Sequence, residues 1–124
     1  MKYFLAVDIG ASSGRHMLTH MEEDRMVLEE VHRFYNGMTE KNGHKIWDVD
    51  TLFEEIKIGM KKCASLGKIP ESMGIDTWAV EFVLLDKNGG RIGDAVAYRD
   101  ARTTGMDEGM PDCRREAYSK ESLP

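Results

Sequence analysis

The chain has 124 residues, 41% of them hydrophobic and 31% charged, with a formal net charge of −5. That length suits one modest domain burying roughly two-thirds of its unfolded surface, and that balance excludes wholesale disorder. Acidic and basic residues are intermixed, so there is no basic face to pair with nucleic-acid phosphates; a small anion held by backbone N–H groups stays compatible with the acidic excess.

Tyr3 to Ile9 reads as a short buried strand. Its apolar run is broken at Asp8, too early for a secretory core or a membrane span, which predicts a cytoplasmic protein with no membrane partner. Gly10 to Gly14 is a loop of small residues. Arg15 to Met21 then alternates, with Met17, Thr19 and Met21 on one face and His16, Leu18 and His20 on the other. Glu22 to Arg25 is a solvated polar turn, and Met26 to Tyr35 a third strand. Three strands joined by short turns predict an antiparallel meander. His16 and His20 lie four apart on a strand without neighbouring carboxylates, a poor metal pair.

Asn36 to Lys45, rich in Gly and Asn, reads as a loop. The helix that follows is the clearest element. Val49, Leu52, Phe53, Ile56, Met60 and Cys63 form one apolar stripe, with Asp48 or Asp50 as N-cap, Lys61 and Lys62 at the negative end and Gly67 as a left-handed stop. Beyond Pro70, Ser72 to Asp76 reads as a buried strand and Ala79 to Asp86 as another. Lys87 to Gly90 is a hairpin turn, and Ala95 to Tyr98 a brief strand leading into Arg99-Asp100-Ala101-Arg102. The predicted fold is α/β: a mixed sheet opening with the three-stranded meander, with a helix on one face, unlike the regular alternation of a doubly wound dinucleotide fold. Cys63 and Cys113 have no CxxC or ligand spacing and read as reduced thiols, Cys63 within a core.

Asp8-Ile9-Gly10-Ala11-Ser12-Ser13-Gly14-Arg15 is the segment richest in chemistry. Small side chains admit a phosphate close to the backbone, the glycines permit turns that aim N–H groups at one anion, Ser12 and Ser13 add hydroxyl donors, and Arg15 supplies positive charge. Asp8, ending a strand, suits a water of a phosphate-bridging Mg²⁺. Two other readings compete. Gly10-x-Ser12-x-Gly14 spells a hydrolase nucleophile elbow, which demands a helix after the serine, and an ordinary hairpin turn needs no ligand at all. The dinucleotide fingerprint and the Walker A pattern are absent as written.

The same segment resembles the first phosphate-binding hairpin of the actin-like ATPase superfamily, whose domain is ribonuclease H-like, in the form used by rhamnulokinases of the FGGY carbohydrate kinase family. Further blocks resemble that family in order: Glu30-Val31-His32-Arg33-Phe34, Trp47-Asp48-Val49-Asp50, Gly74-Ile75-Asp76-Thr77-Trp78-Ala79-Val80-Glu81-Phe82-Val83-Leu84-Leu85-Asp86, and Ala97-Tyr98-Arg99-Asp100-Ala101-Arg102-Thr103. The resemblance implies transfer of the ATP γ-phosphoryl group, with Mg²⁺, to a small-molecule ketose, L-rhamnulose foremost. It implies phosphate contacts at Asp8, Gly10, Ala11, Ser12, Ser13, Gly14 and Arg15, and sugar contacts at Thr77, Trp78, Ala79, Asp100 and Arg102. Ala79 stands where the family usually has glycine, and Glu81 where it usually has aspartate, so a methyl beside the sugar narrows its fit. Read without the resemblance, Trp78 is equally a core residue, and Arg99, Asp100 and Arg102 a solvated group.

The family's catalytic aspartate belongs to a later motif, so none is expected within the chain, and turnover by this chain alone is not expected. The resemblance fades after about Met106, which divides the chain into a partial N-terminal domain (1–106) and a divergent tail (107–124). The ending at Ser122-Leu123-Pro124 reads as a truncation or a damaged reading frame. A half-domain leaves an unpaired sheet edge, so self-association is expected.

Overall fold

A computed structural model describes residues 1–106 and 108. The meander forms as its alternation requires: β1 (Tyr3–Ile9), β2 (Ser13–Glu22) and β3 (Arg25–Tyr35) pair antiparallel in succession. Leu5, Val7, Ile9, His16 and Leu18 are buried, while Phe4 is 41% exposed on the opposite face of β1.

The segment expected as a loop is instead a hairpin. β4 (Thr39–Lys41) and β5 (His44–Trp47) pair with Lys41 opposite His44. The two turn residues, Asn42 and Gly43, take φ of +52° and +78°. An Asn-Gly pair with both residues left-handed matches the twist of a two-residue hairpin. A strand as short and polar as Thr-Glu-Lys has no apolar alternation to reveal it.

Helix α1 (Val49–Ser65) starts where Asp48 accepts a hydrogen bond from the Thr51 N–H at 2.9 Å. It ends where Lys68 N–H donates to Cys63 O and Gly67 N–H to Ala64 O, with Gly67 at φ +69°. That double bond pattern is a Schellman closure, which only a residue at ease with positive φ completes cheaply. The apolar stripe lies over β2 and β3, and Cys63, fully buried, joins Leu5, Val7, Ile9, Leu18 and Phe34 in the core. Burial pushes its thiol up from the ordinary range.

β6 (Pro70–Thr77) runs parallel to β1, giving a mixed sheet of order β3-β2-β1-β6. It was expected to be buried, yet Met73 and Ile75 are 42% and 48% exposed. The reason is position: α1 covers β2 and β3, and among the described residues no strand takes the outer edge of β6.

The strand expected over Ala79 to Asp86 shrinks to β7 (Leu84–Leu85), paired with β8 (Arg91–Ile92). The turn between them is closed by Asp86, whose side chain accepts from the N–H groups of Asn88 and Gly90. Residues 78–83 form a strap in which Val80 takes φ +67°. β9 (Ala95–Val96) pairs with β5, and a single 3₁₀ turn follows at Ala101–Thr103. Trp47, Ala95 and Ala97 make a second buried cluster, against which Ala11, Met38, Val49 and Trp78 pack. The tail expected from residue 107, Cys113 included, lies outside the described residues apart from residue 108. No helix among the described residues is long and apolar enough to cross a membrane.

Candidate functional site

The loop between β1 and β2 is held from below. Gly10 N–H donates to Ser13 O at 2.9 Å, Asn36 N–H to Ser12 O at 3.0 Å, and the Asn36 side-chain amide to Gly10 O at 2.7 Å. Asn36 is buried, so the end of β3 acts as a strut for the loop. The backbone N–H groups of Ala11 and Ser12 have no acceptor among the described residues. Ser12 and Ser13 are exposed. A rigid loop presenting free N–H and hydroxyl donors is the raw material of an anion site.

A strand, not a helix, follows the serines, which removes the nucleophile-elbow reading. Neither glycine of the loop takes a positive φ. Gly14 is required by packing, because a Cβ there would lie 2.1 Å from the Phe34 ring. Around Gly10 a Cβ would meet only Ser13 O, at an ordinary 3.5 Å.

Asp8 and Arg15 are cross-strand partners. The Arg15 Nε donates to Asp8 Oδ2 at 3.0 Å, Nη2 forms an ion pair with the same oxygen at 3.0 Å, and both side chains are about half exposed. Among the described residues no bond falls on Asp8 Oδ1, and no cluster of three or more His, Cys, Asp or Glu side chains is built to hold a metal directly. A lone carboxylate oxygen of this kind would suit a water of a hydrated magnesium ion rather than the bare ion.

Thr77 closes β6, and Trp78 and Ala79 open the strap, with Thr77 and Ala79 exposed and Trp78 half-buried. The Trp78 ring lies 4.5 Å from that of Trp47, and its indole N–H is buried without a partner among the described residues. A cleft of about 310 Å³ between α1 and β6 is lined by Phe53, Ile56, Ile75, Thr77, Trp78 and Glu81, among others.

Asp100 is not solvated. It is buried and accepts from Lys45 N–H at 2.7 Å, from His44 Nδ1 at 3.1 Å and from Arg102 N–H at 3.1 Å. These bonds, that from Lys45 first, hold its carboxyl down at about 2. Asp100 therefore anchors the 3₁₀ turn that carries the exposed Arg102. Two contributors went unseen in the sequence, Asn36 under the loop and the His44-Lys45 pair on Asp100; Glu81 shows there only as a departure from the family pattern, and not as the acceptor for Trp47 Nε1 and Tyr98 N–H. Each acts on a residue 17 to 56 positions away, and only the Asn and Glu residue types hinted at a role.

The rhamnulokinase of Halalkalibacterium halodurans is 57% identical over 123 residues, covering 99% of this chain and 25% of the relative. That of Oceanobacillus iheyensis is 53% identical over 104 residues, covering 84% of this chain and 22% of the relative. The chain thus spans about a quarter of the length of the curated relatives it matches. Among solved structures, the ligand-bound xylulose kinase of Lactobacillus acidophilus superposes with a TM-score of 0.70 at 13% identity, over 98% of this chain and 24% of that one. The fold is therefore α/β of the actin-like ATPase type, with a mixed sheet and, among the described residues, one long helix. The model of the FGGY N-terminal domain matches residues 3–122, and on that match the chain belongs to the FGGY family of carbohydrate kinases.

Proposed function

We propose that this chain is the phosphate-gripping part of a sugar kinase that transfers the ATP γ-phosphoryl group to L-rhamnulose. The observation that carries the reading is the strutted loop whose Ala11 and Ser12 N–H groups lack an acceptor among the described residues, beside the exposed hydroxyls of Ser12 and Ser13. Ala11 to Arg15 would hold the phosphates, and Asp8 a water of the Mg²⁺, which when bound neutralises charge on the transferring group. The names of the relatives support rhamnulose as the acceptor. Thr77, Trp78, Ala79 and Arg102 supply its contacts, while Asp100 fixes the turn that bears Arg102.

Phosphoryl transfer needs a base to position the attacking hydroxyl and a second wall around the nucleotide. Both are assigned to sequence beyond this chain. The chain by itself is therefore a binder without turnover. A coupled assay with L-rhamnulose and Mg·ATP is expected to read no product for this chain, and product when it is extended to the full length of its relatives.

Calorimetry separates this reading from a free-standing phosphate-binding module. Tight Mg·ATP binding by the 124-residue chain favours the module; weak binding that Ser12→Asp abolishes favours the kinase part. A chain extended in that way and still inactive on every ketose offered sinks the kinase reading.

A further inference from the structure

Thr77 to Ala79 and Asp100 to Arg102 belong to different sheets. The first segment leaves the four-stranded sheet at β6, the second follows β9 of the three-stranded β4-β5-β9 sheet, and no backbone ladder joins the two sheets among the described residues. We propose that Glu81 is the positioning residue that locks these two segments into one arrangement. Its Oε1 accepts from Trp47 Nε1 at 2.8 Å and from Tyr98 N–H at 2.9 Å. Glu81 lies two residues after Ala79, and Tyr98 two residues before Asp100, so one carboxylate oxygen spans the gap between the segments. Two bonds to an ionised acceptor are stronger than neutral ones.

Two further features point the same way. Trp47 is 3% exposed, so its indole N–H has no water to turn to if Glu81 is lost, and an unmet buried donor is costly. Trp78, one of the proposed sugar residues, packs on Trp47 with the rings tilted by 50°. The strap between Trp78 and Glu81 contains Val80 at φ +67°, a conformation a β-branched residue adopts only when its surroundings impose it. Glu81 is the anchor at the far end of that strained step. Its carboxylate thus sets the height of Trp78 over Trp47 and the start of the Tyr98–Arg102 segment at once.

This inference rests on the sugar-kinase reading for its purpose but not for its test. The sequence has two tryptophans, so the ¹⁵N-labelled chain gives two indole N–H signals that are assigned by substitution. Glu81→Gln keeps a carbonyl oxygen able to accept both bonds, and Glu81→Ala keeps none. The expected result is that Glu81→Ala moves the Trp47 indole signal, the amides of Thr77 to Ala79 and those of Asp100 to Arg102 together, whereas Glu81→Gln leaves the two segments in place. Shifts confined to the strap in Glu81→Ala, or equal disturbance by Glu81→Gln, overturn the proposal. If Glu81→Ala does not fold, Trp47→Phe deletes the same N–H while keeping an apolar ring; it must move the strap amides, and their immobility likewise overturns the proposal.

Titration with L-rhamnulose forms the second arm. Affinity is expected to fall roughly tenfold in Glu81→Ala and to stay near that of the unaltered chain in Glu81→Gln. An unaltered chain that shows no response to the sugar tells against the sugar reading of these segments, while the amide shifts still decide whether Glu81 joins them.

Discussion

At position 14 a single methyl group decides whether the loop strand packs. The Cβ of an alanine would sit 2.1 Å from Phe34 Cζ and within 2.7 Å of two further ring carbons, in a core where Phe34 is 7% exposed. Gly14→Ala is expected to cost about 1–3 kcal/mol in urea unfolding, as overpacking does, and Gly14→Ala with Phe34→Leu to recover part of it. His16 is the second informative residue. It is fully buried, its Nε2 donates to Ile56 O at 3.2 Å, and its Nδ1 has no partner among the described residues. Gly59 on α1 makes room for the ring, since a Cβ there would lie 2.2 Å from it. Burial lowers the His16 pKa below 6.5; the Ile56 carbonyl and the Glu55 charge oppose this, while the charges of His32 and Lys62 add to it. Because the folded state resists a proton that the unfolded state accepts, the contribution to stability is complete above pH 6.5 and declines as the pH falls below it. Thermal melts between pH 8 and 5 are expected to show a steeper acid loss for this chain than for His16→Phe; parallel curves would tell against the assignment.

Among the elements, α1 was the most legible, because stripe, cap and stop all lie within its own 20 residues or so. Asp48, the cap the structure uses, also has its pKa lowered by the Thr51 N–H it accepts from. Asp48→Ala is expected to lower stability by about 0.5–2 kcal/mol, read from the urea midpoint, with Asp48→Asn losing much less. Strand existence in the meander was legible for the same local reason. The β4–β5 hairpin was not, although its Asn42-Gly43 turn is a local signal, because three polar residues carry no strand period. The expected strand over 79–86 failed for a tertiary reason. Its apolar run resembles a strand, but Glu81 is drawn to Trp47 and Tyr98, and the backbone bends through Val80 to let it reach them.

At the scale of the whole molecule, the described residues leave one flank of the sheet open. Ile69 just before β6, and Met73, Ile75, Phe82, Leu84 and Leu85 on or after it, are exposed, and an exposed apolar sheet edge invites another strand. Two copies of β6 paired antiparallel about Gly74 would set Met73 against Ile75 and Ser72 against Asp76, whereas a slip of one residue sets Glu71 against Asp76, an unfavourable like-charge pair. Light scattering on dilution is expected to show reversible self-association that Ile75→Lys reduces; an unchanged monomer at all concentrations would tell against this edge. The sequence by itself determined the meander, the capped helix, the small-residue loop and the ordered blocks that mark the family, because each is written in neighbouring residues. Only the tertiary structure decided that Gly14 serves Phe34, that Asn36 struts the loop, that Asp100 is an anchor and that no strand among the described residues takes the outer edge of β6. Those roles depend on partners distant in sequence, and no local pattern encodes which side chains the folded sheet brings within hydrogen-bonding or van der Waals reach.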